Sequence, residues 1–509
     1  DAGATPPPPA DAGVTTVPPT CDSTKTPSQD PCVVIEALGV FVAPSASDAG
    51  ASVADGTRSR PFAKIQDAIA AAKDQKKRVY ACAADYAEQV TLADGVSMFG
   101  DLDCSTWAVV PGHANVKAPA SPAITANAIT TATRVEAFDF TAPDGTAAAP
   151  TSIGLVATSA NALTFAQSTI KAGKGASGAD GVAAVQLANG TVNGANAMGD
   201  HTPIASLPLC STMPATINTC VGAPGYQGGT GGAGGWGGHW VVNHERSIPT
   251  AYSPPSTTMC TVLRPCVCTN SSGGSQPASA TTAQGGQYVI GSATASVAVA
   301  GQAGADGHDG TTGVAMLSAD SGLRFVPGDA TGGTDGQPGQ GGGGGAGIPT
   351  NPADLADGAE IIGATGAGGG AGGCPGLAGS AGKGGGASIA VLTDSALTLD
   401  TCIVQSSDGG NGGSGSFPSN PTAGGSPGTA ALNVPYENGA AGGAGGHAGV
   451  GGNGAGGPSI GIAAHGASPK LVSTTPAVGA QGHGVAARTS GSSTIATSAD
   501  GQGGAVVTF

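Results

Sequence analysis

Apolar and polar residues alternate along this chain with two regular periods, separated by stretches that follow a third. Phe62, Ile65, Ala68, Ile69 and Ala72 recur at helical spacing, so a helix of about three turns is expected to begin at Pro61, where a missing amide does no harm. Leu38–Ala43, Arg78–Cys82, Glu88–Leu92 and Val96–Phe99 are short apolar runs bounded by turn residues, which predicts strands. Val135–Phe140 alternates and is expected to point Val135, Ala137 and Asp139 one way and Glu136, Phe138 and Phe140 the other. Ser152–Ala157, Leu163–Phe165 and Thr169–Ile170 form a set that recurs as Ser388–Leu392, Leu397–Leu399 and Ile403–Val404. Setting Leu163 against Leu397 also sets Phe165 against Leu399 and Ile170 against Val404. Ser459–Ala463 opens a third copy, and Gly313–Leu317 with Leu323–Phe325 reads as a degenerate fourth.

The third period belongs to glycine. Within Gly439–Gly457, positions 439, 442, 445, 451, 454 and 457 are all glycine, with Ala448 the exception, and 443, 446, 449 and 452 form a second glycine register. Gly228, Gly231, Gly234 and Gly237 keep the same step, as do Gly304, Gly307 and Gly310, and Gly370, Gly373 and their successors to Gly385. Gly442, Gly445 and Gly451 belong to the longest run, and Gly333–Gly345, Gly175–Gly181 and Gly409–Gly415 repeat the pattern. A flexible linker has no reason to keep a period of three. A polyproline-II-type helix does, because it has three residues per turn and packs closely only where side chains are absent. It has no internal hydrogen bonds, so its amides must find neighbouring strands. Six or seven limbs are therefore expected to pair within the chain, each twelve-residue limb spanning roughly 37 Å. The short GGX runs return to strands and lack collagen's regular proline, which favours an intrachain bundle over a triple helix. Ala441, Ala444, Val450 and Asn453 are expected on its outer face, with His447 exposed beside them.

The order of strands, excursion and strands again is the sign of a repeat architecture. It predicts an all-β chain: a right-handed parallel β-helix (β-solenoid) with an N-terminal capping helix and glycine-triplet insertions forming a polyglycine-II-like bundle. The expected divisions are a Pro/Ala-rich leader at 1–30, the capping helix and first coils at 31–198, a cysteine-containing insertion at 199–285, and coils alternating with glycine excursions at 286–509. The block GT…PFAKIQDAIAAA, then DYAEQVTL, then GVSMFG, between Gly56 and Gly100, resembles the opening of pectin-lyase-like parallel β-helix proteins. With the DAG/PPPP leader and CDSTKTPSQDPC, the layout is similar to a family of secreted glycine-rich (PGRS-like) myxobacterial surface proteins. That resemblance implies a secreted or surface-exposed protein, commonly without an assigned activity.

Composition narrows the function. Glycine is 91 of 509 residues, charged residues are 10% and aromatics 4%, so backbone pairing must carry much of the stability, as it does in solenoids. A formal charge of −15 argues against nucleic acid, which needs clustered Lys and Arg. No apolar run is long enough to span a membrane. Eleven cysteines suggest an oxidising, extracellular or outer-surface location. Cys21 with Cys32, and Cys210 with Cys220, are local pairs; Cys260 has Cys266 or Cys268; Cys82 and Cys104 suit a staple between neighbouring coils. Cys374 can take a spare cysteine and Cys402 can remain a buried thiol, with an intermolecular disulfide as the alternative.

Candidate chemistry is thin. Pectin-lyase-like folds often carry polysaccharide lyases, but Asp94, Asp101 and Asp103 read as turn residues, which Asp suits on backbone grounds. Cys266 and Cys268 with His239 and His244 fit no standard zinc spacing. Tyr226, Trp236 and Trp240 read as a packing cluster ahead of a sugar-stacking platform. GADGHDG at Gly304–Gly310 has calcium-type oxygens without the repeat that calcium solenoids use. No catalytic residue, metal or cofactor is assigned. The expectation is a non-catalytic structural protein assembling with its own copies into a filament or surface layer, through the leader and an edge strand at Gly503–Phe509. The alternatives are a monomeric adhesin for cell-surface polysaccharide and a polysaccharide lyase.

Overall fold

A computed structural model of the chain describes residues 21–44, 54–198, 202–203, 214–223, 225–234, 239–241, 297–345, 347, 360–362, 365–431 and 437–509. Its regular secondary structure is mostly strand, with little helix. β1 (Gly39–Val42) is followed by α1 (Ile65–Gln75), and then strands arrive in threes. The first trio is β2 (Arg78–Cys82), β3 (Asp85–Tyr86) and β4 (Val90–Thr91); the second is β5 (Met98–Leu102), β6 (Ala114–Lys117) and β7 (Ile124–Asn127). The third is β8 (Thr133–Glu136), β9 (Phe138–Thr141) and β10 (Ser152–Thr158). β11 (Leu163–Ala166) and β12 (Thr169–Lys171) begin a fourth. Before it is completed come β13 (Thr202–Pro203), β14 (His239–Val241), β15 (Met316–Ser318), β16 (Arg324–Val326) and β17 (Glu360–Ile362). β18 (Ser388–Thr393) then completes it. β19 (Thr398–Asp400), β20 (Ile403–Gln405) and β21 (Ser459–Ala464) make the fifth. β22 (Lys470–Val472), a hairpin of β23 (Arg488–Ser490) and β24 (Ser493–Ile495), and β25 (Gly503–Thr508) follow.

Members of each trio stack on their counterparts. First members form a seven-stranded sheet β1-β2-β5-β8-β11-β19-β22, second members a five-stranded sheet β3-β6-β9-β12-β20, and third members a six-stranded sheet β4-β7-β10-β18-β21-β25. Every pairing within these three sheets is parallel. The register sets one apolar ladder on the inner face of each sheet. Val79, Met98, Val135, Phe165 and Leu399 are the rungs of the first. Tyr86, Val116, Phe140, Ile170 and Val404 form the second, and Val90, Ile124, Leu155, Val391 and Ile462 the third. All fifteen lie in one buried cluster. Parallel strands cannot be joined by a hairpin, so a circuit through all three sheets is how each ladder gains its next rung. The match of Phe165 with Leu399 and Ile170 with Val404 is as the sequence copies require.

Three expectations are corrected. α1 begins at Ile65, four residues after Pro61, because Phe62 bridges to Val42 as extended chain. Its buried face is Ile65, Ala68, Ile69 and Ala72 as read, but Lys64 offers no side-chain cap. Glu88 supplies it from the neighbouring loop, accepting from the Ile65 amide at 2.7 Å and the Gln66 amide at 3.0 Å, where a carboxylate also suits the helix dipole. Val135–Phe140 is two strands, not one: Ala137 has φ +59°, so the alternation resets and Val135, Phe138 and Phe140 all enter the core. Gly313–Leu317 with Leu323–Phe325 is not a fourth copy. β15 and β16 pair antiparallel, and Phe325 packs with Ile389, Leu392, Ile460 and Ala463 on the outer face of the six-stranded sheet.

The long intervals, 172–387, 406–458 and 478–502, all fall between a second-sheet position and the next third-sheet strand. The glycine runs therefore leave the strands at one corner and return to it.

Candidate functional site: the glycine limbs and their polar partners

The three-residue period in the sequence reappears in the hydrogen bonds. From the 367–385 limb, Gly370, Gly373, Gly376, Gly379, Gly382 and Gly385 donate to carbonyls of residues 440, 443, 446, 449, 452 and 455, at 2.8–3.0 Å. The same limb accepts from the antiparallel 410–428 limb, where Gly413 reaches Lys383, Ser416 reaches Ser380 and Gly425 reaches Ala371. It also accepts from the 330–345 limb, where Gly333 reaches Gly379 and Gly339 reaches Gly373. Bonds to Ala176, Ala179 and Val192 on one flank and Gly229 and Gly232 on another complete its surroundings. Residues 365–376 are all buried. A limb bonded on so many sides leaves no room for side chains.

The glycines singled out from the sequence take part in one network. Gly228 and Gly231 donate to Asn218 and Thr216; Gly304, Gly307 and Gly310 donate to Ala444, His447 and Val450 at 2.7–2.9 Å. Gly442, Gly445 and Gly451 donate to Gly425, Thr422 and Ser416. Gly234 is buried, and Gly237 lies outside the described residues. Ala441, Ala444 and His447 are exposed as expected. Val450 and Asn453 are not: they are 3% and 0% exposed, because residues 479–501 pack beyond that end of the limb. Asn453 Oδ1 accepts from the Gly415 amide and its Nδ2 donates to the Ala496 carbonyl.

Sequence reading missed how the remaining amides are satisfied. In each triplet the third residue's N–H often faces a neighbouring limb's side chain rather than a carbonyl. Where limbs run parallel the acceptor is a carboxylate or amide: Asp306 and Asp309 take the His447 and Val450 amides at 2.7 and 2.9 Å, and Asp180 takes Ser414. Asn193, Asn196, Asp408 and Asn411 do the same for Ser426, Thr429, Ala480 and His483. The antiparallel pair 374–380 and 416–422 uses hydroxyls instead, Thr422, Ser419 and Ser416 accepting from Cys374, Leu377 and Ser380 at 2.6–2.8 Å. The Ala480 amide, with Lys174 beside it, holds the Asp408 carboxyl below the usual range. Asp, Asn, Ser and Thr at third positions were the available signal. The oxygens of Asp306 and Asp309 in GADGHDG are thus engaged by amides, and no group of three or more metal-ligating side chains occurs among the described residues.

The other candidates separate. Asp94 accepts from the amides and hydroxyls of Thr130 and Thr131, and the Thr131 amide leads in lowering its pKa. Asp103 accepts from Ser105 and Thr106 and is held well below the usual carboxylate range, the Ser105 hydroxyl first among causes. Both are turn residues, as read. Asp101 is not. It lies within β5, is 7% exposed, and its Oδ1 has no hydrogen-bond partner among the described residues. Burial, and secondarily the charge of Glu136, push its pKa up. Glu136, itself 1% exposed, accepts from Ser28 Oγ at 2.6 Å and from Arg134 Nε at 2.5 Å. The turn reading failed because Asp101 lies inside β5 at a shift in its register with β2, between Phe99 and Leu102, which both join the buried cluster of Val34 and Trp107.

Three disulfides form among the described residues: Cys21–Cys32, Cys82–Cys104 and Cys220–Cys374. The third corrects the local pairing of Cys220 with Cys210. Cys220 and Cys374 are 154 residues apart in sequence, yet their limbs lie side by side with Cα atoms 5.9 Å apart. Cys402 is a free buried thiol between β19 and β20. Tyr226 packs beside Cys220, Cys374 and Leu187, and its hydroxyl donates to Asp335 at 2.5 Å, which fits the packing role. Cys210, Cys260, Cys266, Cys268, His244 and Trp236 lie outside the described residues, and His239 and Trp240 are described as backbone in β14 only. No helix among the described residues is long and apolar enough to cross a membrane. Comparison of the chain with protein-family models, with curated proteins and with solved structures finds no match.

Proposed function

We propose that this chain is a secreted, non-catalytic structural protein: a right-handed parallel β-helix whose glycine excursions pack into a polyglycine-II-like bundle, built to associate with copies of itself. The observation that carries the reading is the three-residue hydrogen-bond lattice joining the limbs at 175–197, 228–232, 301–313, 330–345, 367–385, 409–428 and 439–457. In these limbs glycine amides bond to neighbouring carbonyls, and Asp, Asn, Ser and Thr side chains accept from further amides, which is the chemistry of a scaffold. Strand trios returning to the same three sheets support the β-helix, and the strong preference for right-handed parallel crossovers supports its hand. Three disulfides support an oxidising compartment. Asp94 and Asp103 serve as turn acceptors, which weighs against a lyase; the pectin-lyase-like and PGRS-like likenesses enter the proposal as expectations of fold and location.

Sedimentation and electron microscopy of the purified protein test the reading, alongside assays on acidic polysaccharides. Assemblies larger than one chain and no unsaturated-uronide release are expected. Monodisperse monomers at every concentration, or uronide release that Asp101→Ala abolishes, would overturn it.

A further inference from the structure

Asparagine followed by glycine is the dipeptide in which a side-chain amide is most open to attack by its own backbone, because glycine puts no Cβ in the way of its nitrogen. The pair occurs five times in the chain, at Asn189, Asn193, Asn411, Asn438 and Asn453. In four of them the glycine amide is held. Gly190 donates to Asn218 Oδ1 at 2.9 Å, and Gly194, Gly412 and Gly454 donate to the carbonyls of Ser426, His483 and Gly413, each at 2.9 Å. Gly439 differs: its amide has no acceptor among the described residues. Exposure would select other sites, since Asn193 and Asn411 are exposed whereas Asn438 and Gly439 are half-buried. Hydrogen bonding selects Asn438.

The carbon under attack is also prepared. Asn438 Oδ1 accepts from the Ala430 amide at 2.8 Å, which draws electrons from Cγ and stays in position as that oxygen gains charge. We propose that Asn438 is a site of spontaneous deamidation, the Asn–Gly pair that the glycine lattice leaves unprotected. The Gly439 nitrogen gives its proton to water and bonds to Asn438 Cγ. The bond from Cγ to the side-chain nitrogen breaks, and that nitrogen takes up a proton and leaves as ammonia. Water then opens the cyclic imide at either carbonyl, leaving aspartate or isoaspartate at 438, with no oxidant or reductant involved. Isoaspartate lengthens the main chain by one atom just ahead of Ala440, whose amide donates to Gly343 at 2.8 Å and whose carbonyl accepts from Gly370 at 2.9 Å. The 439–457 limb is thereby loosened from both neighbours at its first triplet. None of this depends on association between copies.

The test is ageing of the full chain at mildly alkaline pH, which favours loss of the Gly439 amide proton, followed by proteolysis and mass spectrometry. The peptide carrying Asn438 should gain one mass unit and yield isoaspartate about three- to tenfold faster than peptides carrying the other four, the factor that releasing one held hydrogen bond costs them. In denaturant, where no amide is held, the five rates should draw together. Equal rates in the folded protein would overturn the assignment. So would an Asn438 lead of the same size in denaturant, because neighbours in sequence rather than the fold would then be its cause. Asn438→Gln keeps the amide but needs a larger, slower-forming ring, so its peptide should stay unchanged; a mass gain there would place the reaction elsewhere. Hydrogen exchange at Ala440 should rise in the aged wild type and not in the aged Asn438→Gln protein, and equal exchange in the two would overturn the loosening of the limb.

Discussion

Replacing Gly445 by alanine probes the glycine lattice at a point where two limbs touch backbone to backbone. A Cβ built there would sit 2.0 Å from the Cys374 carbonyl oxygen, 2.5 Å from the Cys374 carbonyl carbon and 2.9 Å from Pro375 Cα. Real Cβ contacts essentially never fall under 3.0 Å, so the limbs must part by about 1 Å. Cys374 is poorly placed to retreat, because its disulfide ties it to Cys220 and its amide to Thr422 Oγ1. A shift of that size breaks the Gly445 bond to Thr422 and those joining Gly446 to Gln337 and Gly376, all now 2.8–3.0 Å. Each such bond contributes about 0.5–1.5 kcal/mol net, and forced overpacking adds about 1–3 kcal/mol. The smaller unfolded-state entropy of alanine offsets only about 0.4–1 kcal/mol. The expected loss is about 3 kcal/mol, read as a lower denaturation midpoint and faster hydrogen exchange across 439–457. His447→Ala is the control: the ring is exposed and the amide, which alanine keeps, makes the bond to Asp306, so a change under about 0.5 kcal/mol is expected. Equal stabilities for the two variants, or unprotected amides in the wild-type limb, would refute the lattice argument.

Other perturbations address what surrounds it. Asp101→Asn should stabilise the protein at neutral pH by about 1 kcal/mol, by removing a buried charge that lacks a full set of partners. Because burial raises the folded-state pKa of Asp101, wild-type stability falls as pH rises from the ordinary carboxylate value through the folded one; the variant's advantage should appear over that window and vanish below it. Urea titrations at several pH values check this, and an advantage that persists at low pH would point to packing instead. Glu88→Gln should cost about 1 kcal/mol by weakening the borrowed cap of α1, with exchange rising first at Ile65 and Gln66. Asn453→Ala leaves the buried Gly415 amide without its acceptor and should cost about 1–3 kcal/mol, whereas exposed Ala444→Ser should be near neutral.

Much of this fold is written locally. Side chains that alternate along a strand pass their period to the sheet, so Leu163–Phe165 and Leu397–Leu399 reveal stacked rungs by their spacing alone, and Cys21–Cys32 is a short-loop pair. The Ile65–Ala72 face likewise follows from helical spacing. Backbone conformation defeated the pattern where one residue reset it: Ala137 enters the left-handed region and moves Phe138 and Phe140 to the same side as Val135. Burial of Asp101 was equally illegible, since it depends on which segments pack around β5 rather than on β5 itself.

The glycine limbs divide most sharply between what sequence determines and what tertiary structure decides. Their three-residue period announces a helix that must bond outward. It cannot announce the partner, because every limb carries the same period and nearly the same side chains. The sheets release and retake the chain at one corner, which brings the excursions together. Five of the seven limbs, however, lie in the single interval 172–387, and their neighbours are decided by how the limbs pack. That packing makes 367–385 the central limb, brings Cys220 to Cys374 across 154 residues, and buries Val450 and Asn453 while Ala441 and Ala444 stay at the surface.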